Sequence, residues 1–327
     1  VRANSLKARK AKGEGNLSKA TYDPTARTLV GLDIGASHMK ALALTLEGET
    51  LVEKSVTTTD DGTKSWMERA RKLLRETLDA CPKDVFVGVA APGLAASDGC
   101  SIAFMPGRLL GLESLNWREW LGLRTHVPVF NDAQAALLGE TWLGPAKGVS
   151  NVLLLTLGTG VGGAAMVDGR VLRGHLGRAG HLGHVSLNPD GALDIVRTPG
   201  SLEDAVGENT LAARTGGRFK STRELVEAFR KGSPEAADVW LKSIRALAAA
   251  LAGFINVLDP EVIVIGGGIA EANDALFGPL QSELDKFEWR PGGARVRVVK
   301  VGLGHNAGAA GAAYGARLAF MESALRA

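Results

Sequence analysis

The chain has only two cysteines, Cys81 and Cys100, in 327 residues. Two thiols so placed form neither a disulfide framework nor the paired spacing of a metal centre, so the simplest compartment is a reducing cytoplasm. No apolar run reads as long enough to cross a bilayer, and the start lacks a signal-type apolar segment; no membrane partner is expected. A basic body is missing too. The formal charge is +3, but residues 1–27 hold seven Lys/Arg against Glu14 and Asp23, a net +5, so the rest of the chain sums to −2. That balance leaves no electrostatic footprint for nucleic acid. The tail, with Tyr22 its lone aromatic residue, reads as disordered. Absent as well are a P-loop, Gly-x-x-x-x-Gly-Lys-Ser/Thr, and a dinucleotide-type Gly-x-Gly-x-x-Gly leading into a helix.

What is present is one design used twice. Residues 29–40 (LVGLDIGASHMK) and 151–163 (NVLLLTLGTGVGG) are each a strand, a glycine-marked polar turn, and more strand. Small residues after a buried strand let backbone N–H groups and hydroxyls approach phosphate oxygens with no Cβ in the way. One such turn in each half predicts two lobes gripping a polyphosphate over hairpins. Length agrees, because a single core stops growing below this size, and a 45% hydrophobic content with 42 glycines suits an α/β enzyme rich in tight turns.

The pattern predicts a meander of short strands over 28–58 and an amphipathic helix over 64–80, with Trp66, Ala70, Leu73, Leu74 and Leu78 at helical spacing. Strands follow at 85–90 and 127–130, the second delivering Asn131 and Asp132 to the start of a helix over 133–142. A second hairpin opens near Val149. Helices over 222–231 and 235–258, strands at 261–265 and 295–301, and a closing alanine-rich helix over 307–325 complete a βββαβα reading of each half.

With those residues in view, the chain resembles the ROK group of sugar kinases and repressors, within the actin/hexokinase-like ATPases. Four segments carry the resemblance, which runs from Val30 to about Leu318: residues 33–40 (DIGASHMK), 127–140 (VPVFNDAQAALLGE), the glycine-rich stretch 155–184, and 263–268 (IVIGGG). It implies a two-lobed α/β fold of the actin-like and hexokinase-like (ribonuclease H-like) kind, with ATP and sugar in the cleft between lobes. The lobes are expected at 28–132 and 133–306, the closing helix (about 307–327) returning to the small lobe. It further implies phosphorylation of a sugar hydroxyl by ATP with Mg²⁺, a homodimer and a cytoplasmic setting. Repressors of the group carry a winged-helix domain for which the residues ahead of Leu29 have no room, which favours a kinase. The alternative is a catalytically weak sugar-binding regulator.

The resemblance makes Asp132 the general base, since a carboxylate can orient a poorly nucleophilic hydroxyl and accept its proton; by spacing alone it reads first as the cap of the following helix. Asn131, His181, His184 and Glu203 become sugar ligands. Asp33 is placed near Mg²⁺ through water, or is a turn carboxylate bonded to local N–H groups. Gly35, Ser37, Lys40, Thr159 and Gly160 fall to the phosphates, although Lys40 could be a solvent-facing strand lysine. Gly266, Gly267 and Gly268 are assigned to adenosine by the resemblance alone, and otherwise form a tight turn. Two departures stand out. The group's usual Gly-x-Ala-Gly-Glu-x-Gly-His is here GRAGHLGH (177–184), with His181 in place of Glu. Its cysteine-rich zinc segment is here NPDGALDIVRTPGSLE (188–203), which has no cysteine and puts Ser201 at a thiolate position. No structural zinc is expected.

Overall fold

The computed structural model describes residues 27–35, 37–81 and 84–326. The expected disordered tail lies outside the described residues except for Arg27, which belongs to the body: its guanidinium stands 4.6 Å over the Phe320 ring and 3.8 Å from the Asp84 carboxylate.

The first half begins with β1 (Thr28–Ile34), β2 (His38–Leu44) and β3 (Thr50–Thr57), an antiparallel meander. β1 is buried almost throughout, whereas β3 alternates exposed and half-buried residues, as befits an edge. Helix α1 (Ser65–Leu78) buries Trp66, Ala70, Leu73 and Leu74 on one face. β4 (Val85–Ala91) then runs parallel to β1. A small ribbon of β5 (Leu94–Ala95) and β6 (Ile102–Phe104) and the short α2 (Trp117–Leu121) precede β7 (Val129–Asn131), parallel to β4, and α3 (Asp132–Trp142). The sheet order is β3-β2-β1-β4-β7.

The second half repeats it. β8 (Val152–Leu157), β9 (Val161–Val167) and β10 (Arg170–Val171) form the meander, followed by α4 (Leu202–Val206), α5 (Leu211–Thr215), α6 (Thr222–Arg230) and α7 (Pro234–Leu258). β11 (Val262–Gly266), α8 (Asp274–Phe287), β12 (Arg297–Lys300) and α9 (Ala307–Arg326) close the chain. The order β10-β9-β8-β11-β12 matches the first sheet strand for strand. Each half is therefore βββαβαβα, one βα unit longer than the sequence pattern suggested. The overlooked α8 has Gly278 and Pro279 in its interior, and both residue types read as breakers. The other overlooked elements are five residues or shorter.

Helices α3 and α9 lie between the sheets. α9 packs against β1, β4 and α3, while α3 also reaches β8 and β9; Phe130, Leu137, Leu138, Leu154, Val264 and Ala312 share one core cluster there. Trp142 of α3 stacks on Tyr314 of α9 with ring centroids 5.0 Å apart. A larger core beneath the second sheet collects Trp240, Leu247, Leu251, Ile263 and Ile265. One sequence expectation needs correction. α7 is long and apolar enough to span a bilayer, with a mean hydropathy of 1.5, because Lys242 and Arg245 interrupt its apolar run without outweighing it. Half of that apolar stretch is buried in the fold, against α4, α6 and α8.

Candidate active site

The parallel strands of both sheets point their carboxyl ends at a common crevice, where open α/β sheets characteristically hold ligands. A cleft of 370 Å³ opens there. It is lined by Asn131 and Asp132 from the end of β7, by Thr159 and Gly160 from the β8–β9 turn, by His181, His184 and Glu203 from the connections beyond, and by Gly267 after β11. Six of the sequence-assigned residues, Asp33, Gly35, Ser37, Lys40, Gly266 and Gly268, do not line it.

Asn131, not Asp132, caps α3. Its backbone is extended (φ −64°, ψ 153°), and its side-chain oxygen accepts from the Ala133 N–H at 2.9 Å. The Gln134 side chain reaches back to the Asn131 N–H at 3.3 Å, closing a capping box. The Asn131 amide also donates to the Gly93 carbonyl at 2.8 Å. Asp132 is thereby the first helical residue, open to the cleft, with one oxygen accepting from Ala133 N–H at 2.8 Å. Although a ligand could reach it, the surrounding protein strips enough water to raise its carboxyl above the ordinary range; the Ala133 N–H and the nearby His181 oppose that rise.

Asp33, near the end of β1, is perturbed in the same direction. Burial first, and then the negative charge of Asp132, push it up to about 7 against the pull of Lys40. Lys40 is its cross-strand neighbour, but the ammonium itself donates to the His305 carbonyl at 2.5 Å and so ties β2 to the entry of α9. A methyl on Gly308, in the first turn of α9, would stand 2.6 Å from the Asp33 carboxylate. In the β1–β2 turn the Gly35 N–H is spent on the His38 carbonyl, and the Gly35 carbonyl accepts from the Thr58 hydroxyl, while Ser37 is exposed.

A testable consequence follows from Asp33. A carboxyl held at about 7 when folded, against 3.8 ordinarily, binds its proton more tightly in the folded chain. Its contribution to stability is complete below 3.8 and is lost as pH rises through 7. The Tm of the unliganded protein should therefore fall between about pH 4 and 7, and Asp33→Asn should flatten that fall. Parallel Tm curves for the two proteins would contradict this.

Opposite Asp132, Glu203 sits in the first turn of α4, whose N-cap is Ser201. Its carboxylate is buried and accepts from the Val161 N–H at 2.9 Å. A methyl on Gly160 would fall on that carboxylate, which explains the glycine here by close approach rather than by conformation. Burial lowers the His181 imidazole, as does neighbouring His184, with Asp132 opposing; the ring is neutral at physiological pH. His184 Nδ1 lies 2.9 Å from Asp194. Among the described residues, no group of three or more His, Cys, Asp or Glu side chains is arranged to hold a metal ion.

The Gly158 and Thr159 carbonyls accept from the Glu208 and Asn209 N–H groups at 3.0 and 2.9 Å, joining the cleft to a second cavity of 420 Å³. Gly268, Ile269, Thr222, Arg223 and Arg230 help to line it, and the buried Thr222 hydroxyl has no hydrogen-bond partner among the described residues. Nothing in the sequence pattern pointed to Thr222, because α6 reads as an ordinary amphipathic helix.

The family model described as "ROK family" matches residues 29–318. The chain is 29% identical over 313 residues to a glucokinase of Thermotoga maritima, covering 87% of this chain and 96% of that protein. It is 30% identical over 262 residues to an N-acetylmannosamine kinase of Vibrio cholerae, covering 76% and 86%. Among solved structures, a ROK hexokinase from Thermus thermophilus superposes with a TM-score of 0.78 at 29% identity, covering 90% and 99%. A ROK family glucokinase from Streptomyces griseus, in complex with glucose and AMPPNP, superposes with a TM-score of 0.69 at 27% identity, covering 89% and 99%.

Proposed function

The chain belongs to the ROK family, and on that premise we propose that it transfers the terminal phosphoryl group of ATP to a sugar hydroxyl, with Asp132 as general base. That it is an ATP-dependent sugar kinase rests on the glucokinase and N-acetylmannosamine kinase relatives and on the AMPPNP-bound neighbour. The finer chemistry rests on one observation: Asn131 takes the capping role, which leaves the Asp132 carboxylate on the cleft wall among His181, His184 and Glu203.

In this reading the sugar is held by Glu203, His181, His184 and the remaining N–H of the Asn131 amide. Its reacting hydroxyl donates to Asp132, whose pKa, raised by desolvation, makes it a stronger base. The β8–β9 turn with Thr159 and the exposed Ser37 turn face the phosphates. The nucleoside end lies in the second cavity, where the unpartnered Thr222 hydroxyl and Gly268 await it. Asp33 fits an Mg²⁺ ion held through water: two carboxylates repelling each other beside a single ammonium are relieved by a cation that takes one or two carboxylates plus phosphate oxygens. When bound, Mg²⁺ neutralises phosphate charge during transfer.

The specificity element is His181. A neutral imidazole can donate one hydrogen bond and accept one, whereas a carboxylate only accepts. We therefore expect weak phosphorylation of glucose and a better substrate among other hexoses or among amino, N-acetylated or anhydro sugars. A coupled ADP-release assay across these classes tests it, and His181→Glu should shift preference toward glucose. If the unaltered enzyme already prefers glucose above every other sugar, His181 is not a specificity element; if no sugar releases ADP, the kinase reading itself fails.

A further inference from the structure

The segment between His184 and Glu203 is built inside out. Among its described residues from Val185 to Gly200, the one buried residue is a carboxylate, Asp194, while Val185, Leu193, Ile195 and Val196 are exposed. Leu187 is half-buried against the core of the second half, but no apolar side chain of this loop is fully buried. It is organised around the carboxylate, whose side chain has no solvent exposure. One oxygen accepts from the Val196 and Thr198 N–H groups at 3.0 and 2.8 Å; the other lies 2.9 Å from His184 Nδ1. Burial works against the charge, but His184, the two amides and the Ser201 side chain hold the carboxyl below its usual range. Arg197, in the left-handed region at φ 70°, donates its N–H to the Asp194 carbonyl at 2.9 Å. That turn brings the two amides onto one oxygen.

We propose that Asp194 is a positioning residue that fixes the tautomer of His184 and thereby dictates which sugar hydroxyls can dock there. An ionised carboxylate only accepts hydrogen bonds, so the proton between the two groups belongs to His184 Nδ1. The Nε2 of a neutral ring is then a bare acceptor, and His184 lines the cleft. The substrate group facing it must be a donor, a hydroxyl or N–H; an ether or carbonyl oxygen at that position leaves two acceptors facing each other. Because Ser201 touches the same carboxylate and caps the helix that carries Glu203, Asp194 also sets the spacing between His184 and Glu203. The sugar-selecting consequence rests on the proposed kinase reading; the tautomer does not.

Two measurements separate them. In ¹⁵N-imidazole NMR of the unliganded full chain at about pH 8, above the ordinary histidine pKa, His184, assigned by its loss in His184→Gln, should be the Nδ1–H tautomer. In Asp194→Asn the side-chain oxygen keeps the two amides and the NH₂ faces the ring, so the tautomer should reverse to Nε2–H. That variant should raise the sugar KM by about tenfold or more, the scale expected when a hydrogen-bond acceptor in a site becomes a donor, with kcat reduced less and the ATP KM unchanged. A native His184 in the Nε2–H form overturns the proposal, even if the variant fails to fold. An unchanged sugar KM in a folded Asp194→Asn enzyme overturns the specificity role. Absence of any sugar kinase activity counts against the functional reading and leaves the tautomer result to decide the role of Asp194.

Discussion

Asp132→Asn should lower kcat by about a thousandfold, the middle of the range for removing a general base, while sugar affinity moves by less than about threefold. The amide keeps the shape of the carboxylate and can still accept from the Ala133 N–H, and α3 keeps its cap because the cap is Asn131. What is lost is the proton acceptor. Removing a carboxyl whose pKa is raised by desolvation should also leave the folded protein at neutral pH as stable as before or more so, since a buried charge disappears. A loss of activity without a loss of stability, measured by kcat, sugar binding and Tm together, marks chemistry. Near-normal turnover would remove Asp132 from the mechanism, and a large fall in Tm would make the residue structural. Relief of its repulsion on Asp33 should also bring the Asp33 pKa down, a change that the pH dependence of Tm would register.

Gly311→Ala should be severely damaging. At the crossing of α3 and α9 an added Cβ would fall on the Ala135 carbonyl oxygen, with Gly139 N close behind, and both belong to backbone that cannot swing aside. Overpacking of that kind costs about 3 kcal/mol or more, a large share of the roughly 5–15 kcal/mol that holds a domain together. In a chain of this size that corresponds to a fall in Tm of roughly 5 °C or more. Gly253→Ala is the control: in the long helix α7 its new methyl meets nothing within 4 Å, and replacing glycine in an exposed helix stabilises by about 0.5–1 kcal/mol. Equal Tm changes in the two variants would mean that the α3–α9 contact is looser than its geometry. Activity should suffer as well, because α3 begins at Asp132 and the first turn of α9 holds Gly308 against Asp33. A shift between the helices therefore separates the two carboxylates.

Much of this was legible before any coordinates. Apolar runs of 4–8 residues ended by glycine marked β1, β8 and β11, helical spacing marked α1, and apolar or alanine-rich length marked α7 and α9, because burial patterns and breakers act locally. The polar turns after β1 and β8, the Asn131–Asp132 pair ahead of a helix and the cysteine-free stretch 188–203 could all be read from residue order, and with them a two-lobed kinase of a recognisable family. Only the tertiary structure decided the rest. Which of two adjacent residues caps α3 depends on the extended backbone of Asn131 and on a Gly93 carbonyl 38 residues away in sequence. Asp33 reaches about 7 because chain folding first buries it and then brings Asp132 beside it. Asp194 carries no signal in the residue order, and α9 reads only as an alanine-rich helix. Patterning reports which face of a segment is apolar; it carries no record of which distant polar groups are brought together, and here those meetings set the charges, tautomers and spacings on which the chemistry depends.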